Sequence, residues 1–68
     1  MKNRIEHIRK ERGILQTELA KAVGVSRQTI SSLENGRYNP SILLAYKIAK
    51  YFDMTIEDVF CFDEEDLK

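Results

Sequence analysis

The sequence is most informative first in what it is short of. It has one cysteine, one histidine, one proline, three glycines and no tryptophan in 68 residues. A single Cys61 cannot close an internal disulfide, so a disulfide-held secreted scaffold is excluded. No Lys, Arg or His adjoins Cys61 to activate it, and Asp63 stands close by. His7 has no second ligand-type residue at metal spacing and is expected on the surface. With His7 and Cys61 far apart and neither in a flanking pattern, neither a Ser-His-Asp nor a Cys-His catalytic set can be assembled. Gly13, Gly24 and Gly36 stand singly at the ends of helix-like runs, which excludes a glycine-rich phosphate loop. The carboxylates cluster only near the end, without the alternating spacing of a calcium loop. No apolar run exceeds a few residues, too short for a membrane span. The opening MKNRIEHIRK lacks the apolar core of a signal peptide. An enzyme, a metal site and a cofactor are therefore not expected, and the expected compartment is the reducing cytoplasm.

A chain of this length is one domain, and folding buries only ~60% of its unfolded surface, so a dimer interface would add useful stability. The formal net charge is zero, with 11 basic and 11 acidic residues. The distribution is not neutral. Residues 1–50 carry ten Lys or Arg against four Asp or Glu, a net of +6, and residues 51–68 carry the compensating −6. Binding to a polyanion depends on the local field, so a basic body with an acidic end remains compatible with nucleic acid. The run Asp63 to Asp66 is expected to be a solvated acidic tail, with repulsion of DNA from one side as the sharper alternative.

The chain is organised around Gln16 to Asn35, QTELAKAVGVSRQTISSLEN. Leu19, Ala20 and Val23 share one helical face, and Ile30 and Leu33 share another. Between them Gly24 supplies a left-handed helix stop, and Ser26 offers a side-chain oxygen to cap the next helix. Small Ala20 lets the second helix cross close to the first, and apolar Val25 fills the turn. The outward face of the second helix is Ser26, Arg27, Gln28, Ser31 and Ser32. Taken singly these residues describe a solvated helix. Together with the turn they form a helix-turn-helix, whose second helix fits the major groove of B-DNA. Arg can pair bidentately with guanine O6 and N7, and Gln with adenine N6 and N7.

These residues resemble the helix-turn-helix of the Cro/C1-type repressors, the XRE family. The resemblance rests on Gln16, Leu19, Ala20, Gly24, Val25, Ser26, Ile30, Leu33, Glu34, Asn35 and Gly36, continues through ENGRYNPS and KIAKYF, and covers residues 5–60. It is greatest to small stand-alone regulators without an effector domain. It implies an all-α, five-helix, lambda-repressor-like domain at residues 1–62, with residues 63–68 as the acidic tail. It further implies an ion pair between Arg9 and Glu34, tying the first helix to the third. Base contacts are expected from Ser26, Arg27, Gln28 and Ser32. Backbone contacts are expected from Gln16, Thr29, Asn35, Arg37, Tyr38, Asn39 and Ser41. Tyr38 could instead cover its own loop. Some phage relatives place an arginine near Leu43 that enters the minor groove; leucine here puts that route in doubt.

Taken in order, residues 2–12 read as the first helix, with Ile5 and Ile8 inward and Glu6 placed to pair with Lys10. Ile14 and Leu15 return the chain to the core, and Thr17 or Glu18 can cap the second helix beside Gln16. Asn35 and Gly36 end the third helix. Pro40 forces Asn39 out of helical geometry, and Ser41 caps the fourth helix. There Ile42, Ala45, Ala49 and Phe52 make an apolar stripe widened by Leu44 and Ile48, with Leu43 and Tyr46 outside it. Thr55 with Asp58 caps a fifth helix that points Ile56, Val59 and Phe60 inward. Phe60 and Phe62 need cover, either from their own core or from a dimer surface, and a short strand at residues 60–62 pairing with a partner's edge is a further alternative. By resemblance the dimer surface lies here, at Val59, Phe60 and Phe62. The expected function is sequence-specific binding of double-stranded DNA by a homodimeric repressor on a two-fold operator, with no membrane partner and no small-molecule effector evident. The alternative from another class is an antitoxin or a transcription adaptor working through protein contacts. RNA binding, which favours an exposed aromatic platform, is less well matched.

Overall fold

The computed structural model describes residues 2–62. The order is β1 (Lys2–Asn3), α1 (Ile5–Glu11), α2 (Gln16–Val23), α3 (Arg27–Glu34), α4 (Ile42–Tyr51), α5 (Ile56–Val59) and β2 (Phe60–Cys61). The five helices agree with the all-α expectation, and a two-stranded antiparallel ribbon closes one edge. The acidic run at residues 63–66 lies outside the described residues.

Local chemistry sets most boundaries. Gly13 and Gly24 end α1 and α2 with φ of 68° and 78°, values that a side chain disfavours. Ser26 Oγ accepts from the Thr29 amide at 3.1 Å, and Ser41 Oγ from the Leu44 amide at 3.1 Å, so both expected N-caps form. At the start of α2 it is Glu18, not Thr17, whose carboxylate accepts from the Leu15 amide, at 3.1 Å. Asn35 stays right-handed, with φ −82°, so Gly36 alone makes the left-handed turn after α3.

At α5 the cap is reciprocal. Thr55 Oγ1 accepts from the Asp58 amide at 3.2 Å and Asp58 Oδ2 from the Thr55 amide at 3.1 Å. The backbone hydrogen bond from Thr55, then that from its side chain, hold the Asp58 carboxyl below its ordinary value. A group whose folded pKa is depressed stabilises the fold above its unfolded pKa, about 3.9 for Asp, and that contribution is lost as pH falls through the folded value. Wild type is expected to lose melting temperature more steeply than Asp58→Asn as pH falls below about 4, as followed by circular dichroism. Equal slopes would show that the cap does not contribute.

The core draws Ile5 and Ile8 from α1, Leu19, Ala20 and Val23 from α2, Ile30 and Leu33 from α3, and Leu44, Ala45, Ile48 and Ala49 from α4, with Phe52, Val59 and Phe60 closing it. No helix among the described residues is long and apolar enough to cross a membrane.

Four expectations need correction. The first helix begins at Ile5, not at residue 2, because Lys2 and Asn3 are extended and pair with Cys61 and Phe60. Asn3 holds the junction: its Oδ1 accepts from the Ile5 amide at 3.1 Å and its Nδ2 donates to Leu33 O at 2.7 Å. The strand at residues 60–61 pairs with the chain's own N-terminal segment. Val59 and Phe60, expected at a dimer surface, are 0% and 1% exposed and belong to the core; Phe62 alone of the three is exposed. Ile42, assigned to the core stripe, is 83% exposed, and Leu15 is exposed as well, only Ile14 packing on the core. Helical periodicity could not separate these cases, since an apolar residue at a helix's first turn fits an inward stripe whether or not a neighbour covers it.

Candidate nucleic-acid interface

Gly24 turns the chain out of α2, the Val25 amide donates to Ala20 O at 3.0 Å, and Ser26 starts α3. Ile30 and Leu33 anchor the inner side of α3, and Ala20, almost fully buried, leaves room for the crossing. The opposite side of α3 is thereby forced outward. Arg27 and Gln28 are exposed, while Thr29 and Ser32 are half-buried. An open recess on this side is lined by Ser26, Gln28, Thr29, Ser32, Arg37 and Tyr38. Hydroxyl, amide and guanidinium groups thus converge from α3 and the loop after it, all able to donate hydrogen bonds to base edges or phosphates.

Not every expected contact faces this recess. Arg27 points to the corner where α2 and α3 both begin, lining a separate hollow with Thr17, Glu18 and Lys21. Asn35 lies on the β1 side, near Lys2, Asn3 and Cys61. Asn39 and Ser41 are exposed in the following loop, where the Ser41 hydroxyl already accepts from the Leu44 amide.

Beneath the surface a polar chain links α1, α2 and α3. Arg9 Nε donates to Glu34 Oε2 at 2.8 Å and Arg9 Nη2 to Glu34 Oε1 at 3.2 Å. A third donor, Arg9 Nη1, reaches Ile14 O at 3.0 Å. The side chains are 9% and 2% exposed, so the expected ion pair is present and nearly dry. The Glu34 hydrogen bond holds the Arg9 guanidinium above its ordinary pKa, leaving it charged at any working pH. Two further links were not apparent in the sequence. Gln16 Nε2 donates to Glu34 Oε1 at 2.9 Å, and Gln16 Oε1 accepts from Arg27 Nη1 at 3.2 Å. A carboxamide can donate to a carboxylate through its nitrogen and accept from a guanidinium through its oxygen at the same time. The signal was the position of Gln16 and Arg27, each the first residue of its helix, once the turn brings those helix starts together. Among the described residues no buried side-chain nitrogen or oxygen is left without a partner, and no acidic, His or Cys cluster is placed to hold a metal.

Comparison with known proteins agrees with this geometry. The family model described as helix-turn-helix matches residues 5–59. An HTH-type transcriptional regulator of Archaeoglobus fulgidus is 57% identical over 67 residues, covering 98% of this chain and 96% of that protein. The HTH-type regulator YgzD of Bacillus subtilis is 49% identical over 65 residues, covering 96% of this chain and 98% of the relative. Among solved structures, the biofilm master regulator SinR in complex with DNA, a Bacillus subtilis protein, superposes with a TM-score of 0.72 at 36% identity, over 79% of this chain and 87% of that one. With a helix-turn-helix model spanning most of its length and close relatives of the same size, this chain belongs to the XRE-type helix-turn-helix family, a family of DNA-binding transcriptional regulators and not of enzymes.

Proposed function

We propose that the protein is a sequence-specific repressor that binds double-stranded DNA as a homodimer on a two-fold operator. The observation that carries this is the outer side of α3, where an exposed first turn presents Arg27 and Gln28 while the inner side is locked into the core. Gln28, Ser26 and Ser32 reach base edges from the recess they share, and Arg27 reads the edge beside Gln16. Gln16 keeps a role toward phosphate: its amide nitrogen carries two hydrogens and only one is engaged, by Glu34. Arg37, Tyr38 and Thr29 border the same recess, and with Asn35, Asn39 and Ser41 set register on the sugar-phosphate backbone. The Ser41 hydroxyl, accepting within its cap, retains its own hydrogen to donate. Residues 1–62 act as the binding domain and residues 63–68 as an acidic appendage that keeps the two ends of the molecule electrically distinct. Two copies would engage half-sites about 34 Å apart, one turn of duplex, and occupation of the operator would exclude polymerase.

The test is selection of bound sites from random duplex DNA, followed by salt-controlled titration of variants. Arg27→Ala is expected to cost ~1–3 kcal/mol and relax the preference at one base pair, whereas Arg37→Ala should weaken all sequences alike and reduce the salt slope by about 1. Unchanged affinity in both variants would refute the docking.

A further inference from the structure

We propose that the hollow between the end of α2 and the outer face of α4 docks an acidic segment of a partner protein, one that carries apolar side chains among its carboxylates. The first 50 residues hold ten Lys or Arg, yet the α3 recess is lined by only one of them, Arg37. Three others meet elsewhere. Lys21, in the last turn of α2, lines one hollow with Lys47 and Lys50 of α4. Tyr46, Tyr51 and Ala22 line the same hollow, and no acidic residue does. The spacing of 46, 47, 50 and 51 places these four on one face of α4. All three lysines and both tyrosines are exposed. Glu18 lies beyond Lys21, and Asp53 and Glu57 beyond Lys50, in the neighbouring hollows. None of the three lysines forms an ion pair among the described residues.

Helix ends account for part of this charge. Lys21 and Lys50 each stand in the last turn of a helix, where a cation offsets the carbonyl end. Lys47 stands a turn earlier, three residues from Lys50, a spacing at which like charges on a helix meet and repel. Carboxylates brought into the hollow relieve that repulsion, so its charge is complementary to an acidic ligand. The tyrosines decide which acidic ligand fits. Their rings and the Ala22 methyl offer apolar surface between the charges, and their hydroxyls can donate to carboxylates. A duplex backbone has no apolar group to lay on that surface. A segment that mixes acidic and apolar residues fills both the charged and the apolar parts. The hollow shares no residue with the α3 recess, so a partner can dock while α3 holds DNA. The docking needs neither the homodimer nor the operator proposed above.

The experiment is a titration of the full 68-residue chain with a synthetic peptide of glutamates interspersed with leucines, followed by NMR of the backbone amides. Polyglutamate and oligothymidylate are titrated in parallel. The mixed peptide is expected to bind with a dissociation constant below about 1 mM and to shift amides at the end of α2 and on the outer face of α4. Lys47→Glu and Tyr46→Ala alter exposed side chains, and thermal melts confirm that both fold. Lys47→Glu should weaken the peptide by about tenfold or more, and Tyr46→Ala several-fold. Neither residue lines the α3 recess, so affinity for a duplex obtained by selection should change by less than about threefold at physiological salt. No shifts at about 1 mM peptide, or shifts elsewhere on the chain, would overturn the docking. Polyglutamate binding as tightly as the mixed peptide would overturn the role of the apolar surface, and tighter oligothymidylate would reassign the hollow to single-stranded nucleic acid. A loss of duplex affinity in Lys47→Glu as large as the loss for peptide would make the hollow part of the DNA surface instead. Selection that yields no preferred duplex would sink the operator alone and leave the peptide result standing.

Discussion

Glu34→Ala is expected to lower the free energy of unfolding by about 3–5 kcal/mol, the scale on which removing one member of a buried ion pair destabilises a protein. The cause is what stays behind. Arg9, 9% exposed, would keep its charge and only the Ile14 carbonyl as a partner. Gln16 would lose the acceptor for its amide, and through it Arg27 would lose its seat. A domain of this size has roughly 3–10 kcal/mol in total at 0.05–0.15 kcal/mol per residue, so the variant should be largely unfolded near 37 °C. Urea titration measures this as a lower midpoint at unchanged slope. A volume-matched apolar pair, Arg9→Met with Glu34→Leu, should recover much of the stability, because the desolvation penalty disappears with both charges. It should not recover DNA binding, since Gln16 and Arg27 would be unanchored. A loss below about 1 kcal/mol in Glu34→Ala would mean that the pair is as weak as a solvated surface pair.

Phe60→Ala carries the other large expected effect, also about 3–5 kcal/mol, the usual result of emptying a buried aromatic site. Phe60 is 1% exposed, beside fully buried Val59, in the segment that pairs with Asn3. Truncation would open a cavity and loosen the ribbon holding both ends of the domain together. The diagnostic is concentration. An interface residue would give a loss that shrinks as protein concentration rises, by mass action. A core residue gives the same loss at every concentration, and that is the expected result. Denaturation at two concentrations a hundredfold apart separates the cases; a concentration-dependent loss would return Phe60 to an interface.

Much of this molecule was legible in its residues. The turn at Gly24, the caps at Ser26, Ser41 and Thr55, and the inward positions of α2 and α3 all depend on interactions within a few residues. Such interactions are written in local order, because a cap needs only an oxygen at the right offset and a left-handed turn only a missing Cβ. The Arg9–Glu34 pair is long-range, and it was anticipated only through resemblance to a family.

The misjudged features share one trait: each depends on what lies opposite a residue and not beside it. Lys2 and Asn3 carry no strong mark of a strand; pairing with Phe60 and Cys61 makes them one. Ile42 has the right phase for the core, but none of the described residues covers it. Gln16 and Arg27 become partners because the turn sets two helix starts side by side, eleven positions apart in the chain. The sequence by itself determined the helices, their stops and the polar character of α3. Only the tertiary structure decided which apolar residues found cover and which polar groups share a proton. Burial and long-range hydrogen bonds are properties of juxtaposed surfaces, and no single segment contains both sides.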